Sequence, residues 1–298
     1  MTDALRTLLR RFLSSAALWS IALWTIFTGW EIGFVLLVAG LGLLGLWEYY
    51  GMLDAKKLPH FKKFGMFCGA FMLCGSFYWL SWRRLPMTGL YDFEIGTLLL
   101  FMLGVFARQL FLKAEELVPL ERMALTLFGL LYVPWTFSFV AKIVYEVPLD
   151  ATNHPTGHWY VLFLVLVTKF SDMGAYLVGS MIGKHPFVPH ISPKKTWEGF
   201  FGALAVSIGG GCALVAIIPH RLPLITFGHA AILGLLLGFG AVIGDLAESL
   251  IKRSCGVKDS GKLLPGIGGT LDLIDSLLFT APMMFFYVRL VLGCGVAH

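Results

Sequence analysis

Four aspartates, three lysines and one arginine fall within residues 244–276, GDLAESLIKRSCGVKDSGKLLPGIGGTLDLIDS, in a chain that is otherwise mostly apolar. Ionisable side chains are costly in an apolar medium and persist where they pair, bind or react. Asp245, Glu248, Ser249 and Lys252 stand at i, i+3, i+4 and i+7, which puts them on one helical face. Asp272 and Asp275, at i and i+3, share a face where the next apolar run begins. The helix dipole favours an acid at such a start. It gives no reason for a third acid, Asp245, to close the neighbouring helix. Converging carboxylates repel one another unless a cation lies between them. The donors are all oxygen, with no His or Cys, so Asp245, Asp272 and Asp275 are expected to hold Mg²⁺. A second cation, monovalent or divalent, is left open.

Between these acids lies Pro265-Gly266-Ile267-Gly268-Gly269-Thr270. A glycine-rich turn opening a helix presents backbone N–H groups to a phosphate. Taken alone, such a turn is more often a plain tight connection. Beside it stand Lys258, Asp259 and Lys262, with Lys252 and Arg253 at the preceding helix end. Those last two are equally explained as snorkelling side chains. Lysines, amides and a divalent cation are together the parts needed for phosphoryl or nucleotidyl transfer.

A second polar island begins with Lys169 and Asp172, i and i+3 inside an apolar run, where an internal ion pair is expected. It continues to His190-Ile191-Ser192-Pro193-Lys194-Lys195-Thr196-Trp197-Glu198-Gly199. Ser192 followed by Pro193 has the pattern of an N-cap and first helical residue. Lys194 and Lys195 would then sit on a first turn, where the dipole opposes cations, so an anionic partner is expected. A lipid headgroup or a triphosphate would serve. Positive-inside anchoring is the plain alternative.

The elements that must position these residues are membrane helices. Of 298 residues, 57% are hydrophobic and 14% charged, against roughly 25% charged in a soluble domain. Apolar runs near 14–30, 32–50, 63–81, 89–112, 122–145, 158–180, 197–218, 226–250 and 271–293 give an all-α polytopic integral membrane protein of about nine helices. The first two runs are separated only by Trp30 and Glu31 and should form a tight hairpin. Trp30, Trp47, Tyr49, Tyr50, Trp82, Tyr91, Trp159 and Trp197 mark run ends, as an interfacial belt does, although any of them could be core. With the N-terminus inside, 17 of the 23 Lys and Arg fall in cytoplasmic segments; Arg83 and Arg84 run against that bias. Residues 1–150 are expected to be scaffold helices that could form an interface, and 151–298 the catalytic region. No strand alternation suggests a barrel, and no inverted repeat suggests a transporter. The five cysteines show no metal or disulfide spacing, no cleavable signal peptide is evident, and no basic helix points to nucleic acid.

The stretch SLIKRSCGVKDSGKLLPGIGGTLDLIDS resembles the signature of the phosphatidate cytidylyltransferase, or CDP-diacylglycerol synthase, family. SDMGAYLVGSMIGK, ISPKKTWEG and GDLAES resemble it in order and spacing, and WEYY near residue 47 is also similar. The resemblance implies an integral membrane enzyme that makes CDP-diacylglycerol and pyrophosphate from CTP and phosphatidate with Mg²⁺, in phospholipid biosynthesis. A bacterial inner membrane and a cytoplasm-facing site are expected, and a homodimer is left open. By position it makes Asp245, Asp272 and Asp275 the acidic metal site, with Lys258, Asp259 and the Gly266–Gly269 turn in the same catalytic region. It makes Lys194 and Lys195 substrate-phosphate contacts and gives Asp172 a supporting polar role. The family usually has His at the position of Ile267 and Arg at that of Leu273. An altered lipid acceptor, or loss of activity, is therefore one alternative. An ion-coupled transporter is the other.

Overall fold

The computed structural model describes residues 16, 19–25, 27, 28, 30–82, 87–112, 117–148, 156–261, 263 and 268–293. Seven helices among them are long and apolar enough to cross a membrane, and the only sheet described is one two-stranded hairpin. The chain forms an all-α integral membrane protein. It divides into two compact units, residues 1–141 with 254–274 and residues 142–253 with 275–298. The hairpin expected at Trp30–Glu31 depends on the run 14–30, which is only partly among the described residues; residues 19–25 of it are helical.

The first unit holds α1 (Glu31–Ala55), α2 (Lys62–Phe77, continued by a π turn, Tyr78–Trp82), α3 (Met87–Leu110) and most of α4 (Val118–Glu146). Phe61, Met72, Phe101, Val105 and Leu130 form a buried cluster. Proline has no N–H for the helical ladder, and in α4 the interruption appears as a π turn, Leu131–Trp135, around Pro134. The WEYY element, residues 47–50, lies in the C-terminal half of α1. Tyr49 O–H donates to Leu125 O at 3.0 Å and Tyr50 O–H to Thr126 O at 2.9 Å. Both rings are buried, so these two belong to the core, with their hydroxyls satisfied by α4, and do not form an interfacial belt. Trp47 stays exposed, with Lys62 Nζ 4.0 Å above its ring.

The second unit holds α5 (Gly157–Ile182), strands β1 (Pro186–Val188) and β2 (Ser192–Thr196), α6 (Trp197–Ile217), α7 (Phe227–Ser254) and most of α8 (Thr270–Leu290). α5 and α6 cross with backbones nearly touching: a Cβ on Gly202 would lie 2.9 Å from Gly174 O, and one on Gly199 2.9 Å from Ala175 O. Small residues permit this approach where lipid gives helices no hydrophobic reason to associate. Hydroxyls add interhelical bonds: Ser171 to Gly238 O at 3.2 Å and Ser207 to Gly234 O at 2.8 Å. β1 and β2 pair antiparallel between α5 and α6.

The hairpin corrects one expectation. Ser192 does not cap a helix, and Lys194 and Lys195 do not sit on a first turn; all three lie on β2. The cap is Thr196, whose hydroxyl oxygen accepts from Gly199 N–H at 3.2 Å. Thr196-Trp-Glu-Gly is itself a capping sequence, with Glu198 in the first turn paired to His185 at 2.6 Å. Once Pro186–Val188 supplies a strand partner, the residues before Thr196 gain more from pairing than from another turn of helix.

Candidate active site

Two polar clusters hold most of the residues singled out by the sequence, one in each unit. In the second unit Asp245, on α7, forms an ion pair with Lys195 from β2, Nζ to Oδ2 2.7 Å. Lys169 and Asp172, on α5, form the expected i, i+3 pair at 3.1 Å. Asp275, on α8, is buried, and Asp245, Lys169 and Asp172 are its charged neighbours. Lys169 feels all three aspartates. Asp275 Oδ1 accepts from the backbone N–H and the hydroxyl of Ser276. Three acids and two lysines from α5, β2, α7 and α8 thus meet in one region.

Gly244 makes this meeting possible. A Cβ there would fall 2.8 Å from Asp275 O and 2.9 Å from Ser276 Cα. Only glycine lets α7 come this close to α8, which brings Asp245 beside Asp275. The expected face Asp245, Glu248, Ser249, Lys252 exists but divides its partners. Lys252 pairs with buried Glu248, while Ser249 O–H reaches Asp245 Oδ1 at 3.5 Å. Arg253 is exposed at the helix end.

In the first unit the loop before α8 is built on Asp272. Its Oδ2 accepts from Gly269 N–H at 2.7 Å, Ser260 O–H at 2.9 Å and Ser260 N–H at 3.3 Å. A third helical residue reaching back to the N–H before the helix is one half of a capping box. Gly268 has φ +122, a region that L side chains rarely adopt, and a Cβ there would lie 2.9 Å from Asp272 Oδ2. The Gly269 amide, expected as a phosphate donor, is therefore spent on Asp272. Lys258 and Asp259 are exposed and make no ion pair among the described residues. Gly266, with Lys262 and Ile267, lies outside the described residues.

Glu48 lies within WEYY but is not among the candidate site residues the sequence suggests. It is buried on α1, and its Oε2 accepts from Leu271 N–H at 2.8 Å, with Ser260 Oγ 3.3 Å away. The signal was present: an acid within an apolar helix carries the same argument as Asp245. Ser260, which lies between Glu48 and Asp272, carried no signal of its own.

The donors suit a hard cation, because they are carboxylate oxygens. Among the described residues no three His, Cys, Asp or Glu side chains form a group that could hold a metal. The pair Asp245 and Asp275 fits the way Mg²⁺ is usually held, by one or two carboxylates with water and substrate phosphate completing its shell.

Apolar helices carrying converging acids and lysines define a membrane protein with a charged cluster held among its helices. Comparison with known proteins gives its class. A model of the cytidylyltransferase family matches residues 9–291, and the chain belongs to that family. It is similar to the phosphatidate cytidylyltransferase of Mycobacterium tuberculosis H37Rv, 37% identical over 172 residues, covering 58% of this chain and 49% of that one. It is 31% identical over 287 residues to the chloroplastic phosphatidate cytidylyltransferase 5 of Arabidopsis thaliana, covering 88% of this chain and 67% of the relative. It is 42% identical over 165 residues to the uncharacterized protein YnbB of Escherichia coli K12, covering 55% and 51%. The chain thus spans about half the length of most curated relatives it matches.

Proposed function

We propose that this chain is a phosphatidate cytidylyltransferase, forming CDP-diacylglycerol and pyrophosphate from CTP and phosphatidate in phospholipid biosynthesis. Family membership and the phosphatidate cytidylyltransferases among its relatives support the reaction class. The observation that carries it in this molecule is the meeting of Asp245, Asp275, Asp172, Lys169 and Lys195 from three helices and a strand.

The reaction joins a phosphate oxygen of phosphatidate to the α-phosphorus of CTP, and the bond from that phosphorus to the pyrophosphate oxygen breaks. The attacking oxygen is already an anion, so little general-base help is needed. Lys195 is held near by Asp245 and is placed to turn to a phosphate, with Lys194 beside it on β2. Lys169 lends positive charge to the three aspartates. Asp245 and Asp275 are the proposed Mg²⁺ ligands; Asp272, three residues before Asp275 on the same helix, is the third on sequence spacing alone. A bound Mg²⁺ would supply neutralisation of charge gathering on the transferring and leaving phosphates. Lys258, Asp259, Lys252, Arg253, Ser192, Gly266 and Gly268 remain proposed members of the substrate region.

The proposal extends to nine spans, an inside N-terminus, a bacterial inner membrane and a cytoplasm-facing site. The support is the placement of 17 of 23 basic residues in segments on one side. The catalytic region is proposed within 151–298, with 1–150 as scaffold. A second reading keeps the chemistry and changes the lipid acceptor, because Ile267 and Leu273 stand where the resembled family has His and Arg. Purified protein given labelled CTP, Mg²⁺ and phosphatidate should yield labelled lipid and pyrophosphate. Labelled lipid with another phospholipid acceptor only would favour the second reading, and no CTP turnover with any acceptor would refute both.

A further inference from the structure

Glu48 lies 212 positions before Ser260 and 223 before Leu271 in the chain, yet it is hydrogen-bonded to one and beside the hydroxyl of the other. Leu271 N–H is among the first donors of α8, which have no partner within the helix. Glu48 Oε2 satisfies it, and a carboxylate is the favoured group at that end of a helix. The same oxygen is 3.3 Å from Ser260 Oγ, which is 2.9 Å from Asp272 Oδ2. Ser260 is buried, so its hydroxyl is held by these two acids and not by solvent.

The surrounding glycines fit the same arrangement. A Cβ on Gly261 would collide with Glu48 Oε1, and one on Gly269 would meet both Ser260 Oγ and Glu48 Oε2. The loop is therefore moulded to the Glu48 carboxyl. Gly45, one turn before Glu48, lets α1 sit against the start of α8: a Cβ there would lie 3.1 Å from Ile274 Cδ1 and 3.7 Å from Leu271 Cδ1. Glu48 Oε1 is buried and has no hydrogen-bond partner among the described residues. Such a group is retained at a cost, which the bonds of Oε2 to Leu271 N–H and Ser260 offset.

We propose that Glu48 is a positioning residue for the cytidylyl-transfer reaction, fixing Ser260, Gly261, Gly269 and Leu271 and the orientation of Asp272 through Leu271 N–H and Ser260. This rests on the reading above that Asp272 belongs to the catalytic region. The chain of contacts Glu48–Ser260–Asp272 makes the last helix begin at one register, with the Asp272 carboxyl facing one way.

The test uses the full chain in detergent or nanodiscs with CTP, Mg²⁺ and phosphatidate. Glu48→Leu removes the acceptor at similar volume. It should lower kcat about 10²-fold, as misplacement of a reacting group does, with a much smaller change in KM for CTP. Glu48→Gln keeps one oxygen for Leu271 N–H and should stay within about tenfold of wild type. Ser260→Ala, a smaller change that leaves the helix contacts alone, should lower kcat in the same direction. The double variant should be no worse than Glu48→Leu alone. Wild-type kcat in both Glu48→Leu and Ser260→Ala would overturn the proposal and leave the reaction assignment standing. If wild type shows no CTP turnover, the reaction assignment falls and amide hydrogen exchange decides the anchoring. Faster exchange in Glu48→Leu confined to 256–261 and 268–272 supports it; unchanged or uniformly faster exchange overturns it.

Discussion

Lys195 Nζ stands 2.7 Å from Asp245 Oδ2, although the two residues lie 50 positions apart, on a strand and on a helix. The side chains are 25% and 40% exposed, and a pair this open contributes about 1 kcal/mol or less to stability. Its value therefore lies elsewhere. Lys195→Ala is expected to leave the thermal unfolding midpoint almost unchanged while lowering cytidylyl transfer about 10²-fold or more, the scale of losing one preorganised charge. Steady-state kinetics beside a melting curve checks both halves; an equal loss of fold and activity would refute the assignment.

Gly244→Ala should do the opposite. The new Cβ meets backbone atoms of Asp275 and Ser276, which have no rotamer by which to yield. The cost should be about 1–3 kcal/mol, with Asp245 pushed away from Asp275. A lower unfolding midpoint and a weaker apparent affinity for Mg²⁺ are both expected.

Asp272 carries a cap and a proposed ligand on the same carboxyl group. Asp272→Ala removes the acceptor for Gly269 N–H and Ser260 and should cost about 0.5–2 kcal/mol. Asp272→Asn keeps an acceptor oxygen and should hold more of that stability while still abolishing turnover. Near-normal CTP-dependent synthesis by Asp272→Asn would end the metal-ligand proposal.

Chelation of divalent ions should abolish turnover, and added Mg²⁺ should restore it. Ca²⁺, larger and less strict in its geometry, should restore it poorly. Full activity in excess chelator would remove the cation from the reaction.

The apolar runs predicted the helices because twenty apolar residues in a row have few other uses. The Lys169–Asp172 pair was legible because both members lie one turn apart on one helix. Lys195 with Asp245 and Glu48 with Ser260 were not legible, since local spacing carries no information about partners 50 or 212 positions away. Ser192-Pro193 misled for another reason. It has the local form of a helix start, and the strand partner that overrules it, Pro186–Val188, is a three-residue element with no alternation to read. Tyr49 and Tyr50 look like interfacial aromatics until α4 offers them carbonyls.

The strand character of Ser192–Thr196 has a consequence for the paired lysines. Successive side chains on a strand point to opposite faces, so Lys194 and Lys195 leave β2 in different directions. Lys195 is turned to Asp245 and Lys194 is exposed. The two cations that read as a doublet in the sequence have separate surroundings, one against an aspartate and one in the open, and exchanging those surroundings would require turning the hairpin over.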